Sequence, residues 1–157
     1  MPPEFDELIR QHGPRIRRIA LRYASSGAVD DLVQNILVRL WRSYPSFRAE
    51  AKVETWIYRV ALNAAITHVR SSIKERKGQA TLAARSPGPA VVHAGSSMTD
   101  VLEGFLRMLG NIDAAILMMY LDGLTAEEMS RVLGISGNSI NARISRLKLR
   151  FTAAYID

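Results

Sequence analysis

The side chains with the greatest capacity for chemistry are sparse and badly placed for catalysis. His12, His68 and His93 lie too far apart to suggest a ligand set, and the chain has no cysteine to offer a thiolate. Asp30-Asp31 is a carboxylate pair, but no loop or strand signature of a cleft accompanies it. Ser136-Gly137-Asn138 lacks the preceding strand of a nucleophile elbow. These residues argue against a metal site and an enzyme. A different chemistry stands out between Ser136 and Arg150, where Arg143, Arg146, Lys148 and Arg150 occur without an acidic residue. One such cation would be a solvated helix face. Four on one segment suit contact with phosphates.

The elements that must position them are helical throughout. From Glu4 to Tyr23, Phe5, Leu8, Ile9, Ile16, Ile19, Ala20 and Tyr23 recur at helical spacing, and Gly13-Pro14 is expected to kink or break the run. A second helix is predicted over Val29 to Ser43, ended by Tyr44-Pro45-Ser46. A polar loop leads to a third helix over roughly Val53 to Ser72. Residues 74–98 change character, with Lys74-Glu75-Arg76-Lys77-Gly78 followed by Ser86-Pro87-Gly88-Pro89 and Gly95-Ser96-Ser97. This composition predicts a flexible, mildly basic linker. It divides an all-α chain into two small helical domains, 1–73 and 99–157, each near the lower limit of what folds alone.

In the second domain, Thr99 or Asp100 is expected to cap a helix that runs through Leu109 and closes at Gly110-Asn111. Ile112 to Leu121 is strongly apolar and stops at Asp122-Gly123. Thr125-Ala126-Glu127-Glu128 has capping-box spacing, Gly134 ends the short helix that follows, and Ser136 caps a last helix to about Ala153. A short helix, a tight turn and a second helix form a helix-turn-helix pattern. Ile140, Ile144, Leu147 and Phe151 are expected to face inward, and Asn138, Asn141, Ala142, Ser145 and Arg146 outward. Small polar side chains near the helix start suit base edges in a major groove, and the arginines beyond suit the backbone. The alternative is an ordinary helical hairpin.

Bulk properties agree with an anionic partner. The 157 residues carry 21 basic and 15 acidic side chains, a net charge of +6, and 48% are hydrophobic. Residues 1–73 hold 11 basic against 7 acidic side chains, 74–98 hold 4 against 1, and 99–157 hold 6 against 7. No stretch approaches the roughly 20 apolar residues that span a bilayer, and the N-terminus lacks the pattern of a signal peptide. A cytoplasmic protein without membrane insertion is expected.

Leu121-Asp122-Gly123-Leu124-Thr125-Ala126-Glu127-Glu128-Met129, then Val132-Leu133-Gly134-Ile135-Ser136, resembles region 4 of the extracytoplasmic-function (group 4) sigma factors of the sigma-70 family. Ser139-Ile140-Asn141-Ala142-Arg143-Ile144-Ser145-Arg146 is similar to that family's recognition helix. Asp30-Asp31-Leu32-Val33-Gln34-Asn35, with Arg39-Leu40-Trp41, resembles the polymerase-binding helix of region 2. Thr55-Trp56-Ile57-Tyr58-Arg59-Val60-Ala61-Leu62-Asn63 resembles the next helix, which with its preceding loop engages melted promoter. Departures from the pattern are Asn35 for a glutamate, Thr67 for an aspartate, Asn141 for a lysine, and a basic linker where many members have an acidic one. They bear on the promoter sequence and the linker's behaviour.

The resemblance implies a protein that binds core RNA polymerase and promoter DNA and is held inactive by an anti-sigma factor. It implies no cofactor and no small-molecule substrate. Asp31, Gln34 and Asn35 would meet the polymerase, around the apolar anchors Leu32 and Val38. Phe47, Arg48 and Lys52 in the loop would capture an unstacked base, with Arg59 and Arg70 along the strand's phosphates. Asn63 is either a base or strand contact or an ordinary polar position. Ser136, Asn138, Ser139, Asn141, Ala142, Arg143, Ser145, Arg146, Lys148 and Arg150 would meet the upstream element. Trp41 and Trp56 are expected in the core, and the methionines 108, 118, 119 and 129 as core or hairpin filler. A DNA-binding regulator that never touches polymerase, and a mimic that titrates an anti-sigma factor, remain as alternatives.

Overall fold

The computed structural model describes residues 3–48, 51–78 and 97–156. These residues hold helices α1 (Pro3–Tyr23), α2 (Val29–Ser43), α3 (Val53–Gly78), α4 (Met98–Met108), α5 (Asn111–Leu121), α6 (Ala126–Leu133) and α7 (Gly137–Tyr155), with a single 3-10 turn at Tyr44–Ser46. No strand occurs among the described residues. The chain divides into two compact units, Met1–Leu82 and Ala83–Asp157. Most of the segment expected to be a linker, residues 79–96, lies outside the described residues.

In the first unit each of α1, α2 and α3 packs on the other two. Their buried stripes follow helical spacing: Phe5, Ile16, Ile19, Ala20 and Tyr23; Val29, Leu32, Ile36 and Leu40; Trp56, Ile57, Ala61, Leu62, Ala64 and Ala65. Contrary to expectation, α1 runs unbroken through Pro14. An interior proline costs about 3 kcal/mol. Burying each large apolar side chain contributes about 1.5–3 kcal/mol, and α1 buries Phe5 ahead of Pro14 and Ile16, Ile19 and Tyr23 after it. Packing outweighs the local penalty. Helix α3 also continues past its expected end, because Lys74 to Lys77 are good helix formers and no breaker precedes Gly78. Burial pushes the Tyr23 phenol up to about 12, against a smaller opposing effect of the Arg22 charge.

The second unit is built around α5, in which six consecutive residues, Ala114 to Met119, are buried. Helices α4 and α7 both pack on it, and α6 packs on α7. The start of α4 differs from expectation. Ser97, not Thr99 or Asp100, is the N-cap, since Ser97 Oγ accepts from Asp100 N–H and the Asp100 carboxylate accepts from Ser97 N–H, each at 3.2 Å. Gly110 opens α5 rather than closing α4, its backbone extended. Met118, Met119 and Met129 are buried as expected, while Met108 is exposed.

Candidate nucleic-acid interface

The turn between α6 and α7 is defined at both ends by local hydrogen bonds. Thr125 N–H donates to Glu128 Oε1 at 2.8 Å and Glu128 N–H donates to Thr125 Oγ1 at 3.1 Å, which starts α6. Gly134 ends it in the left-handed region, with φ of +71°. Ser139 N–H then donates to Ser136 Oγ at 3.2 Å and begins α7. The Ser136 hydroxyl also bonds to that of Ser139, so both predicted contact residues are engaged in the cap. Ile140 and Leu147 are buried toward α5 and α6, with Ile144 and Phe151 half-buried beside them. Asn138, Asn141, Ala142 and Ser145 form an exposed face of α7, followed by exposed Arg146, Lys148 and Arg150.

Two of the predicted phosphate contacts have other neighbours. Lys148 Nζ lies 5.1 Å from the Tyr120 ring centroid, a cation–π arrangement against α5. Arg143 is half-buried, and its Nη1 donates to Asp113 Oδ1 at 2.9 Å. It is therefore set apart from the solvent-facing cations beside it.

On the first unit, Asp31, Gln34, Asn35 and Val38 share the exposed face of α2, and Arg39 Nε donates to Asn35 Oδ1 at 3.0 Å. Leu32 does not join them. It is 1% exposed, on the stripe that meets α1 and α3, and cannot anchor a partner. Trp41 departs from the expected core position, being 40% exposed at the end of the same face. It and Val38 line a recess of about 310 Å³ with Phe5, Asp6, Ile9 and Leu37. On α3, Arg59, Asn63 and Arg70 are exposed along one side with Thr67, whose hydroxyl donates to the Asn63 carbonyl. Phe47 stacks on buried Trp56 with centroids 4.6 Å apart, while Arg48 and Lys52 are exposed. Among the described residues, no group of three or more His, Cys, Asp or Glu is placed to hold a metal ion. None of their helices is long and apolar enough to cross a membrane.

Comparison with known proteins resolves what these surfaces have in common. Residues 8–74 match sigma-70 region 2, and residues 102–151 match sigma-70 region 4. The chain belongs to the sigma-70 family. Its extracytoplasmic-function branch is shown by relatives such as the ECF RNA polymerase sigma factor SigE of Mycolicibacterium smegmatis, 28% identical over 151 residues, covering 92% of this chain and 58% of that protein. The ECF RNA polymerase sigma-E factor of Escherichia coli is 24% identical over 157 residues, covering 92% of this chain and 82% of that one. Among solved structures, the sigma factor RpoE of Bartonella quintana, in complex with the anti-sigma factor NepR, superposes with a TM-score of 0.75 at 20% identity. That match covers 97% of this chain and 96% of that chain.

Region 2 thus comprises α1 to α3 for most of their length, and region 4 reaches from within α4 to within α7. The structure brings the predicted residues onto exposed faces of α2, α3 and α7, with half-buried Phe47 and exposed Arg48 and Lys52 in the segment before α3, Leu32 excluded and Arg143 drawn inward. Sequence reading missed the Val38–Trp41 recess. Its signal was present as apolar residues at 37, 38 and 41 beyond those the core stripe of α2 requires.

Proposed function

We propose that this sigma-70 family chain binds core RNA polymerase and directs it to specific promoters. The observation that carries the reading is that both family regions occur in one chain, in order, each with an exposed polar or basic face. The α2 face, with Asp31, Gln34, Asn35 and Val38 around the Trp41 recess, would seat the polymerase. It has the mixture of a docking surface, an apolar centre within a polar rim. The α3 face and the loop before it would hold the opened strand, Arg59 and Arg70 meeting phosphates and Asn63 a base edge. Phe47, already backed by Trp56, offers a rigid edge for an unstacked base beside Arg48 and Lys52.

Helix α7 would enter the major groove of the upstream element. Asn138, Asn141, Ala142 and Ser145 would face base edges while Arg146 and Arg150 flank them on the backbone. In this reading strand opening is driven by binding the exposed strand, and the chain itself hydrolyses nothing. It works in the cytoplasm. An anti-sigma factor, as in the related complex, would restrain it by covering the faces that polymerase and DNA require.

The test is transcription in vitro with core polymerase and pooled genomic DNA, with and without the chain. The expected result is a set of discrete new RNA starts sharing two spaced upstream motifs. Duplex binding with neither new starts nor co-elution with core would instead support a regulator independent of polymerase. Loss of both DNA and core binding would leave the anti-sigma mimic.

A further inference from the structure

We infer that Asp113 is an internal counterion that makes Arg143 a positioning residue for α7, leaving phosphate contact to Arg146 and Arg150. The inference rests on the promoter-binding reading above and refines which cations serve it. Arg143, Arg146 and Arg150 follow one another at spacings of three and four, and with Leu147 and Asp113 they line a recess of about 250 Å³. Asp113 is the sole acid there. Its carboxylate accepts from Arg143 Nη1 at 2.9 Å, with the two side chains only 26% and 33% exposed. Water screens such a pair less than it screens an exposed one, and the bond is charge-assisted.

The consequence is geometric. Asp113 lies in the first turn of α5, where the helix dipole favours a carboxylate, just ahead of the six consecutive buried residues. A guanidinium tied to that turn fixes the rotation of α7 against an element that cannot easily shift. The same bond neutralises one of the three arginines, so the recess offers a passing phosphate two positive charges. Without Asp113, Arg143 becomes an extra cation that any duplex can satisfy. Sequence-independent attraction then rises while the register of α7 loosens.

The experiment uses holoenzyme reconstituted with core polymerase, on a promoter duplex and on the same duplex with a scrambled upstream element. Affinity for each is measured across a salt series. Asp113→Asn is expected to steepen the log–log salt slope by roughly 0.9, the value for one more phosphate contact. It should also cut discrimination between the duplexes on the order of tenfold, comparable to one lost base contact. Arg143→Met should lose discrimination with no change of slope, whereas Arg143→Lys, still able to reach Asp113, should keep most of it. Arg146→Ala should flatten the slope by roughly 0.9.

A flatter slope in Arg143→Met, matching that of Arg146→Ala, would make Arg143 a phosphate contact and overturn the inference. So would an Asp113→Asn protein unchanged in slope and discrimination. If the unaltered holoenzyme cannot tell the two duplexes apart, the promoter-binding reading itself falls and takes the inference with it.

Discussion

At the residue scale, neighbours on one helix have opposite duties. Leu32 is enclosed by α1 and α3, so Leu32→Ala should destabilise the first unit by about 2–5 kcal/mol, read from urea unfolding. Val38 and Trp41 are 45% and 40% exposed. Val38→Asp should leave the unfolding midpoint almost unchanged, and Trp41→Ala, which loses an edge-to-face contact with buried Phe5 at 5.3 Å, should cost about 1 kcal/mol. Both should weaken binding to core polymerase by about tenfold or more, measured by fluorescence anisotropy. If Trp41→Ala binds core normally, the recess is not part of the docking surface. The sequence of α2 could not separate these roles, because apolar residues at 29, 32, 33, 36, 37, 38, 40 and 41 allow more than one inward phase. Only packing against α1 and α3 selects it. Arg143 shows the same limit: its charge is legible, but its partner lies 30 residues away.

At the element scale, short-range chemistry was the more readable part. The capping box at Thr125, the stop at Gly134 and the cap at Ser136 all depend on residues within four positions, and all three occur where their spacing predicts. Pro14 misled because its penalty is local and the forces overriding it are not. Replacing it should therefore reveal that penalty. Pro14→Ala is expected to raise stability by about 1–3 kcal/mol, seen as a higher midpoint in chemical denaturation, and a lower midpoint would refute this account of α1. Gly134→Ala should act in the opposite sense. A Cβ at φ of +71° meets no neighbouring atom, so the expected cost of about 1–2 kcal/mol is backbone strain alone. Because that turn aims α7, the variant should also weaken binding to the upstream element.

At the scale of the whole molecule, two small units carry separate cores, and their responses to pH should differ. Tyr23, buried in the first, has its phenol raised from 10.0 to about 12. The folded state keeps this proton over that interval while the unfolded state gives it up, so stability is full below pH 10 and declines as pH rises toward 12. Tyr23→Phe should remove that component of the alkaline loss, as followed by circular dichroism during a pH titration. An unaltered alkaline profile in the variant would assign the loss to other groups. The second unit holds a different lesson. Its core rests on α4, α5, Met129 of α6 and the inward side of α7, while Asn138, Asn141, Ala142 and Ser145 support nothing beneath them. Those four positions can change identity without disturbing the architecture that presents them. Divergence of target preference can therefore proceed by exchange of a few surface letters, and a designer could reprogram this chain toward a new upstream motif while inheriting its foldability intact.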